Sequence, residues 1–206
     1  MTDRKTECHN RMSKYISSSK FASIRDRLSA GTSAYECCPV TDIIFGGDTD
    51  VRGAGAVAEK YIIRCSGKSE TEKNVFLIKE SSMGNKIKEI IQPVSMETAM
   101  RIIQRSTKWL CSSISPLVRE RGIKMTTNRL APETVMDFER ESFYMGSKLT
   151  ITADSAISLR EYSNNIQLCA AGATSEPVDG NICLLQINYE RVIPEEILSI
   201  IGMKTI

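Results

Sequence analysis

LTITADSAISLREY, residues 149–162, decides the fold class that this sequence predicts. The segment contains two short apolar runs with the length of strands rather than helices. Two further runs of the same kind follow, and the four strand candidates are residues 149–153, 156–162, 166–170 and 182–189. Turn residues separate them, and a helix is expected to start at Pro194. The last third of the chain is therefore predicted to form antiparallel strands with a terminal helix.

The central part of the chain mixes strand and helix patterns. Residues 57–64 show the period of two expected of a strand, with Val57, Glu59, Tyr61 and Ile63 alternating with Ala58, Lys60, Ile62 and Arg64. Residues 75–79 are the expected return strand of a hairpin. Ser95 is a predicted helix cap, and the clearest helix of the chain runs from there to about Ser112. Because strands and helices are clustered rather than strictly alternating, the predicted fold class is α+β.

The first thirty residues are predicted to be a basic helical arm. Apolar side chains at helical spacing support it, and they are Met12, Ile16, Ile24 and Leu28. The length of the chain favours one domain, so residues 1–30 are assigned to the arm and residues 31–206 to a single α+β domain.

The segments between these elements complete the prediction. Residues 30–56 are rich in Gly, Thr, Ser and Asp, so an irregular loop with a strand at 40–45 is expected. Three elements are predicted to follow the central helix: a helix at 116–122, a strand at 123–129 and a helix at 132–145.

Charge is segregated along the chain, although the net charge is only +2. Residues 1–28 carry 7 basic and 3 acidic side chains, and residues 29–100 carry 8 and 10. Residues 101–129 carry 7 basic side chains against 1 acidic, whereas residues 130–206 carry 5 against 11. The third block predicts an anionic partner, and the acidic last block predicts a basic one, which includes a second copy of the chain.

A cationic stripe on the central helix is the predicted binding site. Arg101, Arg105 and Lys108 are four and three residues apart, which places them on one helical face, and Trp109 can stack on an arginine or a base. Four cations further along extend this surface: Arg119, Arg121, Lys124 and Arg129. Such an array neutralises a phosphate backbone, so RNA is the predicted partner and an anionic membrane surface the alternative. A solvated helix face with Trp109 in the core is the other interpretation.

Acidic residues of the last third are the predicted complement of this surface. The helix predicted at 132–145 contains the acidic residues Glu133, Asp137 and Glu139. A contact between these acids and the basic block of another copy would build rings or filaments. The alternative is that they fold back onto the basic helix of the same molecule.

No set of residues predicts catalysis. The only histidine, His9, lies in the predicted arm, so a dyad with a serine or cysteine is not expected. Cys8, His9, Cys37 and Cys38 lack the spacing of a zinc site. Residues 46–50 contain two aspartates but are better interpreted as a polar turn. No metal and no cofactor are predicted, and the chain is predicted not to be an enzyme.

The cysteine count and the hydropathy predict a location. Seven cysteines at irregular spacing predict free thiols in a reducing compartment. No apolar run approaches the length of a membrane span, and the polar start of the sequence does not resemble a secretory signal. The predicted location is the cytoplasm, with the nucleus or a virion as alternatives.

These observations predict a non-enzymatic protein that binds RNA and self-assembles, in the manner of viral nucleocapsid or matrix proteins. The first alternative is an adaptor or inhibitor that docks on a partner protein through acidic and Met-rich surfaces. An enzyme whose chemistry the sequence does not reveal is the second alternative.

Overall fold

The computed structural model describes residues 4–46, 58–67, 73–127, 130–146, 148–162, 176–177 and 180–202. Within these ranges the strands are β1 (Lys5–Ser17), β2 (Ala34–Gly46), β3 (Ala58–Ser66), β4 (Asn74–Met83), β5 (Lys86–Pro93), β6 (Ala131–Tyr144), β7 (Leu149–Glu161), β8 (Glu176–Pro177) and β9 (Ile182–Tyr189). The helices are α1 (Ser18–Ala30), α2 (Met96–Ile103), α3 (Thr107–Cys111), α4 (Pro116–Thr127) and α5 (Glu195–Ile201). None of the described helices is both long enough and apolar enough to cross a membrane.

Eight of the strands close into one barrel. Their order around it is β6, β2, β3, β4, β5, β1, β9 and β7, and β7 pairs back with β6 to complete the ring. The pairings between the described strands are antiparallel. The short strand β8 pairs with the second half of β7. Closure gives every strand of the ring an inward and an outward face.

The predicted α+β fold class is therefore wrong, because the chain is mostly β and has a few short helices. The prediction treated the C-terminal strands as a sheet of their own. In the structure β9 pairs with β1, so strands from both ends of the chain belong to the same barrel. Pairing over such sequence distances leaves no local signal in the sequence.

The main apolar core lies outside the barrel, between its strands and the helices. On one side α2, α3 and α4 pack against the barrel, and Ile63, Leu77 and Ile102 are fully buried there. On the other side α1 and α5 pack against it over Leu28 and Ile151, which are also fully buried. Helix packing thus covers the apolar outward faces of the strands, and the inward faces are free to carry polar side chains.

The predicted N-terminal helical arm is wrong in its first half, because Lys5–Ser17 form strand β1 and the helix covers only Ser18–Ala30. Met12 and Ile16 are four residues apart, and this even spacing places them on one face of a strand as well as on one face of a helix. Both belong to the apolar cluster beneath α1 and α5. The second pair, Ile24 and Leu28, does lie in a helix, α1, which begins only at Ser18.

The predicted helix at 132–145 is also wrong, because this segment is β6. Val135 faces outward and is fully buried beneath the helices, whereas Phe138 faces inward and packs against Val40. Both faces of the strand therefore carry apolar side chains, and both carry charged ones. Since neither face is uniformly apolar, the period of two is hidden in the sequence.

The predicted strand at 123–129 lies largely in α4, which continues through Gly122. The sequence indicates a helix end at this glycine, but the structure gives it another role. A Cβ atom at Gly122 would lie 2.6 Å from Leu110 Cβ and 2.9 Å from the Cys111 amide nitrogen. Gly122 therefore permits the close approach of α3 and α4.

Other predicted elements are confirmed. The hairpin at 57–79 corresponds to β3 and β4, which pair along their length, and the predicted terminal helix is α5. The strand at 40–45 lies within the longer β2, which replaces much of the predicted loop. The runs on either side of Ser155 form one strand, β7, with an irregular register at that point. The strand predicted at 166–170 lies outside the described residues.

Replacing Gly122 with alanine tests the contact between α3 and α4. We expect Gly122→Ala to destabilise the protein by about 1–3 kcal/mol through overpacking, although alanine is preferred to glycine in a helix by up to about 1 kcal/mol. Urea unfolding measures the change. Gly180→Ala is the control, because a Cβ there has no atom within 4 Å. Equal effects of the two substitutions would contradict the close packing.

Candidate active site

The inward face of the barrel carries charged and amide side chains. Residues opposite each other on neighbouring strands share a face, and the register places Glu7 opposite Glu89 and Arg11 opposite Asn188. Four further charged residues line the same face: Asp42, Arg64, Arg140 and Asp154. Carboxylates and guanidinium groups from strands all around the ring thus meet inside one barrel, which makes its interior the candidate active site.

Two carboxylates and an imidazole form a cluster on this inward face. Glu7 and His9 are two residues apart on β1, so both point inward, and Glu89 on β5 lies opposite Glu7. One ligand atom from each of the three lies within 4.8 Å of the others. His9 Nε2 is 3.7 Å from Glu89 Oε2, and these side chains are 9% and 12% exposed. Carboxylate oxygens with an imidazole nitrogen are a donor set for a divalent metal ion.

Arg11 continues the same face of β1 and connects four strands. Its Nη1 donates to Glu80 Oε2 at 2.6 Å, its Nη2 to Glu89 Oε1 at 3.0 Å, and its Nε to Asn188 Oδ1 at 3.0 Å. Burial lowers the pKa of Arg11, but Glu89 and Glu80 outweigh this effect, so the pKa lies above its ordinary value. The guanidinium is therefore charged and held in a fixed orientation beside the Glu7, His9 and Glu89 cluster.

Two further arginines are held in bidentate ion pairs inside the barrel. Arg64 donates to both oxygens of Asp42 at 2.8 and 2.7 Å, and Arg140 donates to both oxygens of Asp154 at 2.7 Å. The two aspartates are each 2% exposed. Burial lowers the pKa of Arg64, but Asp42 foremost, with Glu89 and Asp154, raises it overall. The pairs and the Arg11 network therefore belong to one electrostatically coupled array.

The pKa of His9 lies below its ordinary value of 6.5. Burial is the largest cause, and Arg11 adds to it, whereas Glu89, Glu7 and Glu80 oppose the shift. The imidazole is therefore neutral at physiological pH, which is the state that binds a metal ion. A cavity of about 430 Å³ borders the cluster, and His9, Ser82 and Ile87 are among the residues that line it.

Inward-facing carboxylates outnumber inward-facing cations among the described residues. The cations are Lys5, Arg11, Lys60, Arg64 and Arg140, and the carboxylates are Glu7, Glu36, Asp42, Glu80, Glu89, Asp154 and Glu161. Each of the three arginines contacts a carboxylate of this set. An anionic ligand inside the barrel therefore needs additional positive charge, such as a divalent cation, to balance the site.

The predicted cationic stripe lies outside the barrel, on the layer formed by α2, α3 and α4. The single helix predicted up to Ser112 is two helices, so Arg101, Arg105 and Lys108 do not share one helical face. Arg101 pairs with Glu97 at 2.7 Å and lies over the Trp109 ring, 4.5 Å from its centroid. Arg105, in the turn between α2 and α3, and Lys108, in α3, are exposed.

The remaining residues of the predicted stripe have different environments. Arg119 is exposed and donates to the Ser113 carbonyl oxygen at 2.9 Å. Arg121 is a fully buried residue of α4, and Lys124 forms ion pairs with Glu59 and Glu120. Arg129 lies outside the described residues. Of this predicted site, the described surface therefore presents Arg101, Arg105, Lys108, Trp109 and Arg119.

The acids predicted for self-association lie on the outward face of β6. Asp137 accepts hydrogen bonds from Thr41 Oγ1 at 2.6 Å and from Arg160 Nε at 2.9 Å. Glu133 and Glu139 are exposed. Self-association through these residues stays a prediction.

Among the described residues, Cys8, His9, Cys37 and Cys38 do not converge as a group of metal ligands. Among the described residues, Glu7, His9 and Glu89 are the one group of three or more such side chains close enough to hold a metal ion. Five described cysteines are free thiols: Cys8, Cys37, Cys38, Cys111 and Cys183. Cys65 is disulfide-bonded, so the prediction that every thiol is free is wrong. The polar turn predicted at 46–50 lies almost entirely outside the described residues.

Sequence reasoning missed the interior cluster because it assigned β1 to a helix. Glu7, His9 and Arg11 occupy alternate positions, which places a carboxylate, an imidazole and a guanidinium on one face of a strand. This spacing was the available signal. The partners of these residues on β4 and β5 are about eighty positions away, and no local pattern indicates the pairing.

The fold resembles that of two solved structures. One is a candidate adenylyl cyclase from Hippeastrum, described as having a dominant triphosphatase activity; the TM-score is 0.57 at 12% sequence identity, over 96% of this chain and 88% of that chain. The other is a candidate adenylate cyclase from Bacillus halodurans, with a TM-score of 0.55 at 11% identity, over 98% of this chain and 93% of that chain. No protein-family model matches the sequence, and no curated protein matches it.

These likenesses correct the predicted function. The sequence predicted a non-enzymatic structural protein that assembles on RNA, as in a virion. The chain instead has the closed barrel of proteins described as cyclases and triphosphatases, with an interior array of carboxylates and cations. The prediction relied on the basic residues of 101–129 and missed the charges that the barrel encloses.

The interior ion pairs are expected to be structural as well as functional. We expect Asp154→Asn to destabilise the protein by about 3–5 kcal/mol, because it leaves the buried Arg140 without its carboxylate. Urea unfolding measures the loss. Glu97→Gln, which breaks the exposed pair with Arg101, is the control and should cost no more than about 1 kcal/mol. A loss for Asp154→Asn as small as that of the control would contradict the structural role.

The single histidine allows a direct test of the cluster. In metal-free protein, NMR titration of the His9 ring should give a pKa below 6.5, and Glu89→Gln should lower it further, because Glu89 favours the charged imidazole. Since the folded state binds this proton less tightly than the unfolded chain, His9 contributes stability above pH 6.5 that is lost as the pH falls through the folded pKa. A pKa above 6.5 would contradict this balance, in which burial of the ring outweighs the surrounding carboxylates.

Proposed function

We propose that this protein is a metal-dependent phosphohydrolase that cleaves the terminal phosphoanhydride bond of a triphosphate inside the barrel. The observation that carries the proposal is the cluster of Glu7, His9 and Glu89 with Arg11 beside it on the same inward face. The triphosphatase activity described for the Hippeastrum protein of the same fold supports the assignment. In the reaction, a bond forms between a water oxygen and phosphorus as the phosphoanhydride P–O bond breaks, and inorganic phosphate is released.

The donor set fits a divalent cation. The three side chains converge within 4.8 Å, and His9 and Glu89 are mostly shielded from solvent. Glu7, His9 and Glu89 would hold the ion, which would supply positive charge and Lewis-acid polarisation of a phosphate oxygen. The imidazole favours Mn²⁺ or Co²⁺ relative to Mg²⁺, which prefers oxygen ligands.

The residues of the barrel wall bind and orient the phosphates. Arg11 is fixed by Glu80, Glu89 and Asn188, and its fork geometry suits bidentate contact with phosphate oxygens. Lys60, on β3, lies opposite Glu80 of β4 and adds a second cation to this end of the array. Because these groups are held in place before the ligand arrives, little reorganisation is needed when charge develops on the leaving group.

Phosphate release from inorganic triphosphate and from ATP tests this function. Activity should be absent in EDTA and restored by Mn²⁺ or Co²⁺ more than by Mg²⁺. Glu7→Gln and Glu89→Gln should each lower kcat by about 100-fold or more, because each removes a charged ligand from the site. The matched control, Glu97→Gln, changes a carboxylate outside the barrel and should leave kcat unchanged.

Two results would exclude the function. One is the absence of phosphate release with each of these metals from protein with an intact circular dichroism spectrum. The other is full activity of the Glu7→Gln and Glu89→Gln variants.

The cytoplasmic location stays a proposal of the sequence; five described free thiols support it, and the disulfide at Cys65 opposes it.

A further inference from the structure

We infer that the outer surface of the helical layer binds single-stranded RNA, independently of the barrel interior. This helical basic surface consists of Arg101, Arg105, Lys108, Trp109 and Arg119, and it lies on the side of the barrel wall away from the phosphohydrolase site. The inference goes beyond the proposed function, because it concerns a second ligand and a second face of the molecule.

The cations of this surface lack the compensation found inside the barrel. Within the described part of the chain, Arg105, Lys108 and Arg119 are exposed and form no ion pair with a carboxylate. The acids of the layer are already engaged: Glu97 pairs with Arg101, and Glu120 pairs with Lys79 and accepts a hydrogen bond from Tyr61. Unpaired cations on a rigid layer are what a phosphate backbone contacts as its counterions are released.

Arg121 adds positive charge directly beneath this surface. It is fully buried against the rings of Phe45 and Tyr61, at 4.0 and 5.1 Å from their centroids, and its three guanidinium nitrogens have no hydrogen-bond partner. Burial lowers the pKa of Arg121 to about 9, and repulsion from Arg105 contributes. A bound anion at Arg105 would offset this repulsion, so the buried charge favours an anionic partner above it.

The chemistry of the surface favours RNA over a membrane. The Arg101 guanidinium lies over the indole of Trp109, 4.5 Å from the ring centroid, and Trp109 is 36% exposed. Unstacked bases bind to such aromatic and guanidinium planes. Insertion into a bilayer needs a continuous apolar face, but Ile102, Ile103, Leu110 and Leu117 are buried against the barrel. Besides Trp109, the exposed large apolar side chains of the described helical layer are Met96, Ile114 and Ile123, at 38%, 95% and 49%.

Fluorescence anisotropy with a labelled oligouridylate that has a 5′-hydroxyl end tests this surface. The 5′-hydroxyl end means that the RNA carries no triphosphate, and EDTA, present throughout, removes divalent metal ions from the barrel. The wild-type protein should bind at low salt. The charge reversal Arg105→Glu/Lys108→Glu/Arg119→Glu should weaken binding by at least about tenfold. Because it removes three phosphate contacts, it should also reduce the magnitude of the slope of log K against log salt by about 2.

A matched triple variant controls for net charge. Lys20→Glu/Arg27→Glu/Arg191→Glu makes the same charge change at exposed positions away from the helical layer, and it should bind nearly as well as wild type. Phosphate release from triphosphate should be equal in both triple variants, which separates this surface from the barrel. Equal weakening by the two variants, no binding by wild type, or binding to phosphatidylserine vesicles without binding to RNA would each overturn the inference.

Discussion

Charge compensation inside a closed barrel is the constraint on which the rest of the structure depends. A guanidinium enclosed by strands loses hydration, and carboxylates held within hydrogen-bonding distance offset the loss. Arg11 meets this requirement through Glu80, Glu89 and Asn188, each from a different strand. A slip of one residue in the register would move Arg11 to the outer face, where these partners are absent. The interior charges therefore specify strand pairing as well as ligand chemistry.

A polar interior requires that the apolar core be built elsewhere, and the helices serve this purpose. The short helices α2 to α4 and α1 with α5 cover two sides of the barrel, and the buried aliphatic side chains lie beneath them. Gly122 allows α3 and α4 to approach closely, which keeps the layer compact. Inside the barrel, apolar packing is confined to smaller groups such as Val40, Phe138 and Ile157. The stabilising core and the reactive interior are thus separated by the strands themselves.

This separation explains which parts of the structure are predictable from the sequence. The β3–β4 hairpin and the α5 helix depend on neighbours in sequence, and the sequence predicts them. The β1 and β6 strands are predicted as helices, because their faces are not uniformly apolar or polar and the sequence therefore shows no simple alternation. Glu7, His9 and Arg11 are visible as an alternating triplet once β1 is known to be a strand. Their partner Glu89 depends on long-range register, which local patterns do not contain.

Under the proposed function, the interior array would also link the binding of a cation to the binding of an anion. Glu89 faces His9 through one carboxylate oxygen and Arg11 through the other, at 3.7 and 3.0 Å. If Glu7, His9 and Glu89 held a cation, it would weaken the attraction of Glu89 for Arg11, and the guanidinium would then be available to a phosphate. By thermodynamic linkage the reverse also holds, so a phosphate on Arg11 frees Glu89 for a cation. Since carboxylates outnumber cations among the described inward-facing residues, neither ligand is well compensated alone. The proposed function therefore requires that the site bind the two together.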